Sequence, residues 1–259
     1  MMRIFGITGI TDLGRIFFGV SIAVLGILTV VDHEFPYMLI PPEPAWRPGA
    51  AIVGYFFGAL LVVSGLGIVF KWQTRAVSLI TGVLLLLVFV LYYLPYQFIV
   101  TNFTTLHEWE NAEKELDLAC GAFVVAGIFS ERDRTSRPAD IVFAITIISY
   151  GIFHFQLAKE VAEYVPSWVP ARLFFAYLAG AGLIASGIAI ITRIKFELAS
   201  FLLGMMILTW FLVLHVPRIV MSPIEDLSSE IASACLALAY SGIAFMISHP
   251  APHLLRGNQ

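Results

Sequence analysis

The chain has 259 residues, of which 59% are hydrophobic and 13% are charged, with a formal net charge of −3. An average soluble domain has about 25% charged residues, so this composition and a mean hydropathy of +0.88 exclude an ordinary soluble fold. The two cysteines do not form a C-x-x-C pair, which gives no support to a redox-active dithiol.

Eight apolar segments approach the roughly 20 residues that a membrane-crossing helix needs. In chain order they cover residues 13–31, 49–70, 76–94, 116–129, 141–158, 171–191, 198–216 and 231–248. The fourth is the weakest, because charged residues from Glu113 to Asp117 crowd its start. It is expected to begin near Asn111, with this polar turn at headgroup level or against protein. The sequence therefore predicts an all-α integral membrane protein with eight transmembrane helices.

The basic residues predict how these helices are oriented. With the N-terminus in the cytoplasm, ten of the fifteen lysines and arginines fall on the cytoplasmic side. Positive charge favours that side of a membrane. We therefore expect a multi-pass protein of the cell (inner) membrane with both termini in the cytoplasm.

An internal repeat relates the two halves of the chain through a shift of 122 residues. The segment Pro44-Ala45-Trp46-Arg47-Pro48 matches Pro166-Ser167-Trp168-Val169-Pro170. The same shift also matches glycines, prolines and one glutamate: Gly58 with Gly180, Gly82 with Gly204, Pro95 with Pro217, and Glu108 with Glu230. Such matches are more specific than shared leucines, and they indicate a tandem duplication.

Each repeat holds four predicted spans, so the second copy enters the membrane in the same orientation as the first. This pattern predicts two parallel four-helix-bundle repeats. Residues 1–130 form the first repeat, 131–140 a charged cytoplasmic linker, and 141–259 the second repeat with a short tail.

The second repeat carries Gly151-Ile-Phe-His154-Phe, Val165-Pro-Ser-Trp168-Val-Pro170 and Leu214-His215-Val-Pro217-Arg218. These motifs resemble the DoxX/DoxD-like family of small four-helix membrane proteins. The first repeat resembles the family more loosely, through Arg15-x-x-x-Gly19 and its glycine-rich second helix. The resemblance implies the four-helix unit, present twice in tandem, and a quinone-linked redox role.

Five residues of the second repeat are predicted to line one outward-facing cavity: His154, Trp168, His215, Arg218 and Glu230. Ionisable groups at membrane depth are costly and often functional. The neutral imidazoles of His154 and His215 can hydrogen-bond a quinone carbonyl or exchange its proton; haem is a less favoured ligand for them. Alternatively, His, Trp and Arg side chains anchor helix ends at the headgroups, and Glu230 complements a helix dipole.

No catalytic residue or metal site is assigned, and no basic tract points to nucleic acid. Three functions remain open. The first is a quinone-associated component of a membrane redox system, working with a protein partner, which requires an apolar pocket reached by both histidines. The second is a non-enzymatic scaffold, assembly factor or receptor, which requires a binding surface in the loops at 32–48 and 159–170. The third is a small-molecule transporter, which requires a polar cavity near the membrane midplane.

Overall fold

A computed structural model of the chain describes residues 7–32, 39, 50–101, 103–129 and 136–248. The motif at 44–48 and the tail after 248 lie outside these ranges. Within them, all regular structure is helical. The eight long helices are α1 (Ile7–Val31), α2 (Ala50–Val69), α3 (Thr74–Ile99), α4 (Glu110–Ile128), α5 (Ser136–Gln156), α6 (Arg172–Thr192), α7 (Phe196–Met221) and α8 (Leu227–Ile247). A short helix, Ala158–Tyr164, joins α5 to α6 and is called the linker helix.

Six helices of the described part are long and apolar enough to cross a membrane, namely α1, α3, α5, α6, α7 and α8. They indicate a helical multi-pass membrane protein. The apolar stretch in α2 is shorter, Gly54–Val69. Helix α4 begins with five charged residues within its first eight: Glu110, Glu113, Lys114, Glu115 and Asp117. Length and composition therefore support six of the eight predicted spans.

The helices pack as a ring in chain order, which closes where α1 lies against α8. Helices α4 and α8 also touch each other across the ring, and both bury most of their residues. The boundaries predicted at residues 130 and 140 divide the chain into halves. In space, however, the α1–α8 and α4–α5 contacts interlock the two halves.

Glycines bring neighbouring helices into close contact at matching places in both halves. A Cβ on Gly26 of α1 would lie 2.6 Å from the carbonyl oxygen of Gly58 in α2. A Cβ on Gly151 of α5 would lie 2.8 Å from the carbonyl oxygen of Gly180 in α6. Because even a methyl group does not fit, these pairs set both the distance and the rotation of each helix pair.

Helices α3 and α7 have the same construction, 122 residues apart. Each contains one π-helical turn, Phe89–Tyr93 in α3 and Phe211–His215 in α7. Proline follows two residues later, as Pro95 or Pro217. Proline has no N–H to donate, and its ring crowds the carbonyl one turn back. A locally widened turn accommodates it without breaking the helix, and π turns often occur at functional sites.

The two ends of the bundle differ in their connections. The turn end holds the short α2–α3 and α6–α7 turns, and the loop end holds the connections that follow α3, α5 and α7. At the turn end, buried Arg15 donates hydrogen bonds to the carbonyl oxygens of Ile68 and Val69, in the last turn of α2. These bonds satisfy acceptors that the helix leaves open and fix α1 against α2.

Candidate functional site

A cavity of 390 Å³ lies near the loop end, mainly between helices of the second half of the chain. Helices α5, α6, α7 and α8 form its walls, and the first turns of α4 and the end of the linker helix complete it. Its apolar wall residues are Ile147, Ala179, Leu183, Met206, Ile207, Trp210, Leu236 and Ala237. An apolar enclosure with a few converging polar groups is the usual form of a small-molecule site.

His154 and His215 both line this cavity. His154 is in the last turn of α5, where Gly180 of α6 makes room for it: a Cβ on Gly180 would lie 2.8 Å from the His154 Cβ. Its Nδ1 lies 2.7 Å from the carbonyl oxygen of Tyr150, one turn earlier. The glycine contact and this hydrogen bond together fix the ring at the edge of the cavity.

His215 reaches the cavity from the π-helical turn of α7. Its Nδ1 is buried and has no hydrogen-bond partner among the described residues. A buried polar atom without a partner costs free energy. A ligand that supplied a polar group at this point would remove that cost.

Two tyrosines that the sequence analysis did not single out supply further polar groups to the cavity. The hydroxyl oxygens of Tyr150 and Tyr240 are 3.3 Å apart, and the two rings stack with their centroids 6.0 Å apart. Because a phenol has an apolar ring and a hydroxyl that donates or accepts, this pair suits an aromatic ligand that carries oxygen atoms.

A buried carboxyl group, that of Asp117 in α4, lies close to the tyrosines. It is fully buried and accepts a hydrogen bond from the hydroxyl of Thr146 in α5, and its Oδ2 has no hydrogen-bond partner among the described residues. An intramembrane acid that faces other helices is by default a candidate functional residue. The polar turn at the start of α4 was expected either at headgroup level or against protein, and the buried position of Asp117 against α5 is the second of these.

The polar rim of the cavity includes two ion pairs. Glu110 and Lys114 line the opening and lie 2.7 Å apart. Arg218 donates to both carboxylate oxygens of Glu230, with 2.8 Å between its Nε and Oε2. The guanidinium of Arg218 also lies 4.7 Å from the ring centroid of Tyr164, which does line the cavity. Arg218 and Glu230 therefore act on the cavity through Tyr164.

The five residues predicted to share a cavity thus separate into three groups. His154 and His215 line it, and Arg218 and Glu230 hold one of its wall residues. Trp168 is 71% exposed and is not among the residues that line it. The exposed indole suits an interfacial anchor, which was the alternative role considered for it.

Three positions in the first half that correspond to cavity residues carry larger, buried side chains. Phe57 and Tyr93 lie 122 residues before Ala179 and His215, and they are 8% and 1% exposed. In α4, Glu115 corresponds to Ala237 and is fully buried, and neither of its carboxyl oxygens has a hydrogen-bond partner in the described residues.

Within the described residues, no group of three His, Cys, Asp or Glu side chains is placed to hold a metal ion. Cys120 and Cys235 are buried free thiols. Neither a scan of protein-family models nor searches of the curated proteins and the solved structures return a match to this chain.

Proposed function

We propose that this chain is a quinone-binding component of a membrane redox system, and that the cavity between α5, α6, α7 and α8 is the binding site. The observation that carries the proposal is that His154 and His215 line one largely apolar cavity. The DoxX/DoxD-like resemblance is part of the same proposal and supplies its redox context.

The chemistry of the cavity suits a quinone headgroup. Such a headgroup is a flat ring with oxygen atoms on opposite sides, and it dissolves in the membrane. The apolar walls and Trp210 suit the ring, while His154, His215 and the two tyrosines offer polar contacts to the oxygens. The imidazoles and phenols also carry exchangeable protons, which quinone reduction consumes and quinol oxidation releases.

We further propose that all eight long helices cross the membrane as two tandem four-helix units, with both termini in the cytoplasm. Matching features support the duplication: the bounds of α3 and α7, their π-helical turns, and the Gly26–Gly58 and Gly151–Gly180 contacts. In this orientation the turn end faces the cytoplasm, and the cavity lies in the outer half of the bilayer.

The orientation has a direct test. Protease-cleavable tags at both ends should be cut in inverted membrane vesicles and protected in intact, right-side-out ones. Cleavage of either tag from the outside would overturn the proposed topology, and cleavage of both would place the cavity in the inner half.

The binding site is tested by purifying the protein in mild detergent, extracting it with organic solvent and identifying bound quinone by absorption and mass spectrometry. We expect quinone with the wild type and its loss from the His154→Ala/His215→Ala double variant. The matched control is Thr29→Ala/Tyr93→Phe, which should retain the quinone. Thr29 lies three residues after Gly26 as His154 lies three residues after Gly151, and Tyr93 lies 122 residues before His215.

A folded wild type that carries no quinone and binds none when it is added would contradict the proposal. That result would favour a scaffold or receptor, and a search for protein partners would follow. Quinone that survives in the double variant but is lost from the first-half control would place the site in the other half.

A further inference from the structure

The two nitrogens of the His154 ring have different roles in this structure. Nδ1 lies 2.7 Å from the Tyr150 carbonyl oxygen. A carbonyl oxygen only accepts hydrogen bonds, so Nδ1 must be the donor and must carry a proton. A neutral imidazole has a single N–H, and Nε2 is therefore an acceptor. Since Nε2 is at the far side of the ring from this bond, it is the nitrogen available to a ligand.

An acceptor at this position distinguishes the two redox forms of a quinone. The oxidised form presents carbonyl oxygens, which accept and cannot donate. The reduced form, a quinol, presents hydroxyl groups, which donate. A carbonyl placed against Nε2 would leave two acceptors facing each other, and each would lose its hydrogen bonds to water without replacement.

We propose that the cavity selects the reduced, hydroxyl-bearing form of its ligand, a quinol, and that Nε2 of His154 accepts a hydrogen bond from one ligand hydroxyl. This inference rests on the quinone site proposed above and goes beyond it by naming the redox form that binds more tightly.

Of the other polar groups, the hydroxyls and His215 do not discriminate between the two forms, and the charged residues of the rim, Glu110 and Lys114, are paired with each other. The hydroxyls of Tyr150 and Tyr240 donate or accept as required. His215 has no hydrogen bond that fixes its tautomer, because its Nδ1 is unpartnered among the described residues. The selection therefore depends on His154, whose tautomer is set by the backbone of its own helix.

A protonated His154 would present an N–H at Nε2, and the cavity would then no longer prefer the quinol to the quinone. A charged imidazolium in an apolar wall is costly unless a carboxylate pairs with it. Both acidic residues of the rim already have cationic partners, since Glu110 is paired with Lys114 at 2.7 Å and Glu230 is paired with Arg218. The neutral ring, with its acceptor toward the ligand, is therefore the form that the surroundings favour.

The test measures the affinity of the purified full-length protein for three probes by anaerobic titration calorimetry. The probes are a short-chain benzoquinone, its hydroquinone, and the dimethyl ether of that hydroquinone, which has similar size and no donor. We expect the hydroquinone to bind about tenfold more tightly than the other two, which is the ratio that one hydrogen bond of ordinary strength gives. The midpoint potential of the bound couple should then lie about 30 mV above that of the free couple.

Two variants separate selection from binding. In His154→Gln the side-chain amide both donates and accepts, so binding should persist while the tenfold ratio falls to about one. Tyr150→Phe keeps the backbone carbonyl that fixes the His154 tautomer. It should lower the affinity for all three probes by the same factor and leave the ratio of hydroquinone to quinone affinity unchanged.

Equal affinities for the three probes in the wild type, or tighter binding of the quinone, would overturn this inference while leaving the proposed quinone site in place. No binding of any probe would overturn the proposed function itself. A ratio that Tyr150→Phe abolishes and His154→Gln preserves would assign the selection to the tyrosine pair.

Discussion

The two halves of the chain share a helical framework but differ inside it. In the first half, Phe57 and Tyr93 are buried in the core near the loop end; in the second half, the corresponding residues are Ala179 and His215, and a cavity is present. The glycine contacts and the π-helical turns are alike in both halves. The comparison indicates that a few side-chain exchanges on one framework distinguish a packed core from a core that contains a cavity.

The largest effect is expected from shortening the leucines at matching positions of α2 and α6. Leu61→Ala should lower the free energy of unfolding by about 3 kcal/mol, because Leu61 is fully buried and its removal leaves a void in packed surroundings. Leu183→Ala should lower the free energy of unfolding by only about 2 kcal/mol. Leu183 already borders the cavity, so its side chain has fewer packing contacts to lose.

Reversible unfolding in mixed detergent micelles measures both values. Equal losses, or a larger loss for Leu183→Ala, would show that the two cores are equally well packed and would remove the basis of the comparison.

Filling the cavity with the first-half residue should abolish ligand binding. Ala179→Phe places a phenyl ring where Phe57 has one, so we expect at least about a 100-fold loss of quinone affinity, corresponding to about 2.7 kcal/mol. Titration calorimetry measures the loss. Ala179→Ser, which adds a single oxygen, is the control and should bind nearly as well as the wild type. Full affinity in Ala179→Phe would mean that the ligand binds elsewhere.

Exchanging the residues in the π-helical turns should have an intermediate effect. His215→Tyr removes an imidazole from the cavity wall and should weaken quinone binding about tenfold, as expected for the loss of one well-placed polar contact. The reciprocal change, Tyr93→His, serves as the control. It should leave binding unchanged and lower stability, because it places a polar ring in a buried position.

The smallest effect is expected at the rim. Arg218→Gln removes the ion pair with Glu230 and the contact with the Tyr164 ring, and both lie near the surface. We expect stability to fall by about 0.5 kcal/mol and quinone affinity by about threefold, because Tyr164 loses its support. Glu163→Gln, an exposed change on the linker helix, should alter neither. A loss above about tenfold would indicate that Arg218 contacts the ligand directly.

The site could be predicted in part. His154 and His215 stood out because ionisable side chains are rare in apolar spans, and both line the cavity. Tyr150, Tyr240 and Trp210 did not stand out, because an aromatic residue in an apolar span fits equally well against lipid or protein. Which of these it contacts depends on the rotation of its helix, and the glycine contacts between neighbouring helices set that rotation.

The sequence by itself determined the membrane character, the helical class and most of the helix positions. The length of an apolar segment and the placement of its charges are local properties, and they decide whether the segment is more stable in lipid or in water. Only the tertiary structure decided that α1 packs on α8 and α4 on α5, that Asp117 is fully buried, and that Trp168 lies outside the cavity. These features depend on which helix faces meet. In a chain this rich in leucine and isoleucine, many helix faces are apolar enough to pack together. The pairs that actually form are those whose side chains fit closely.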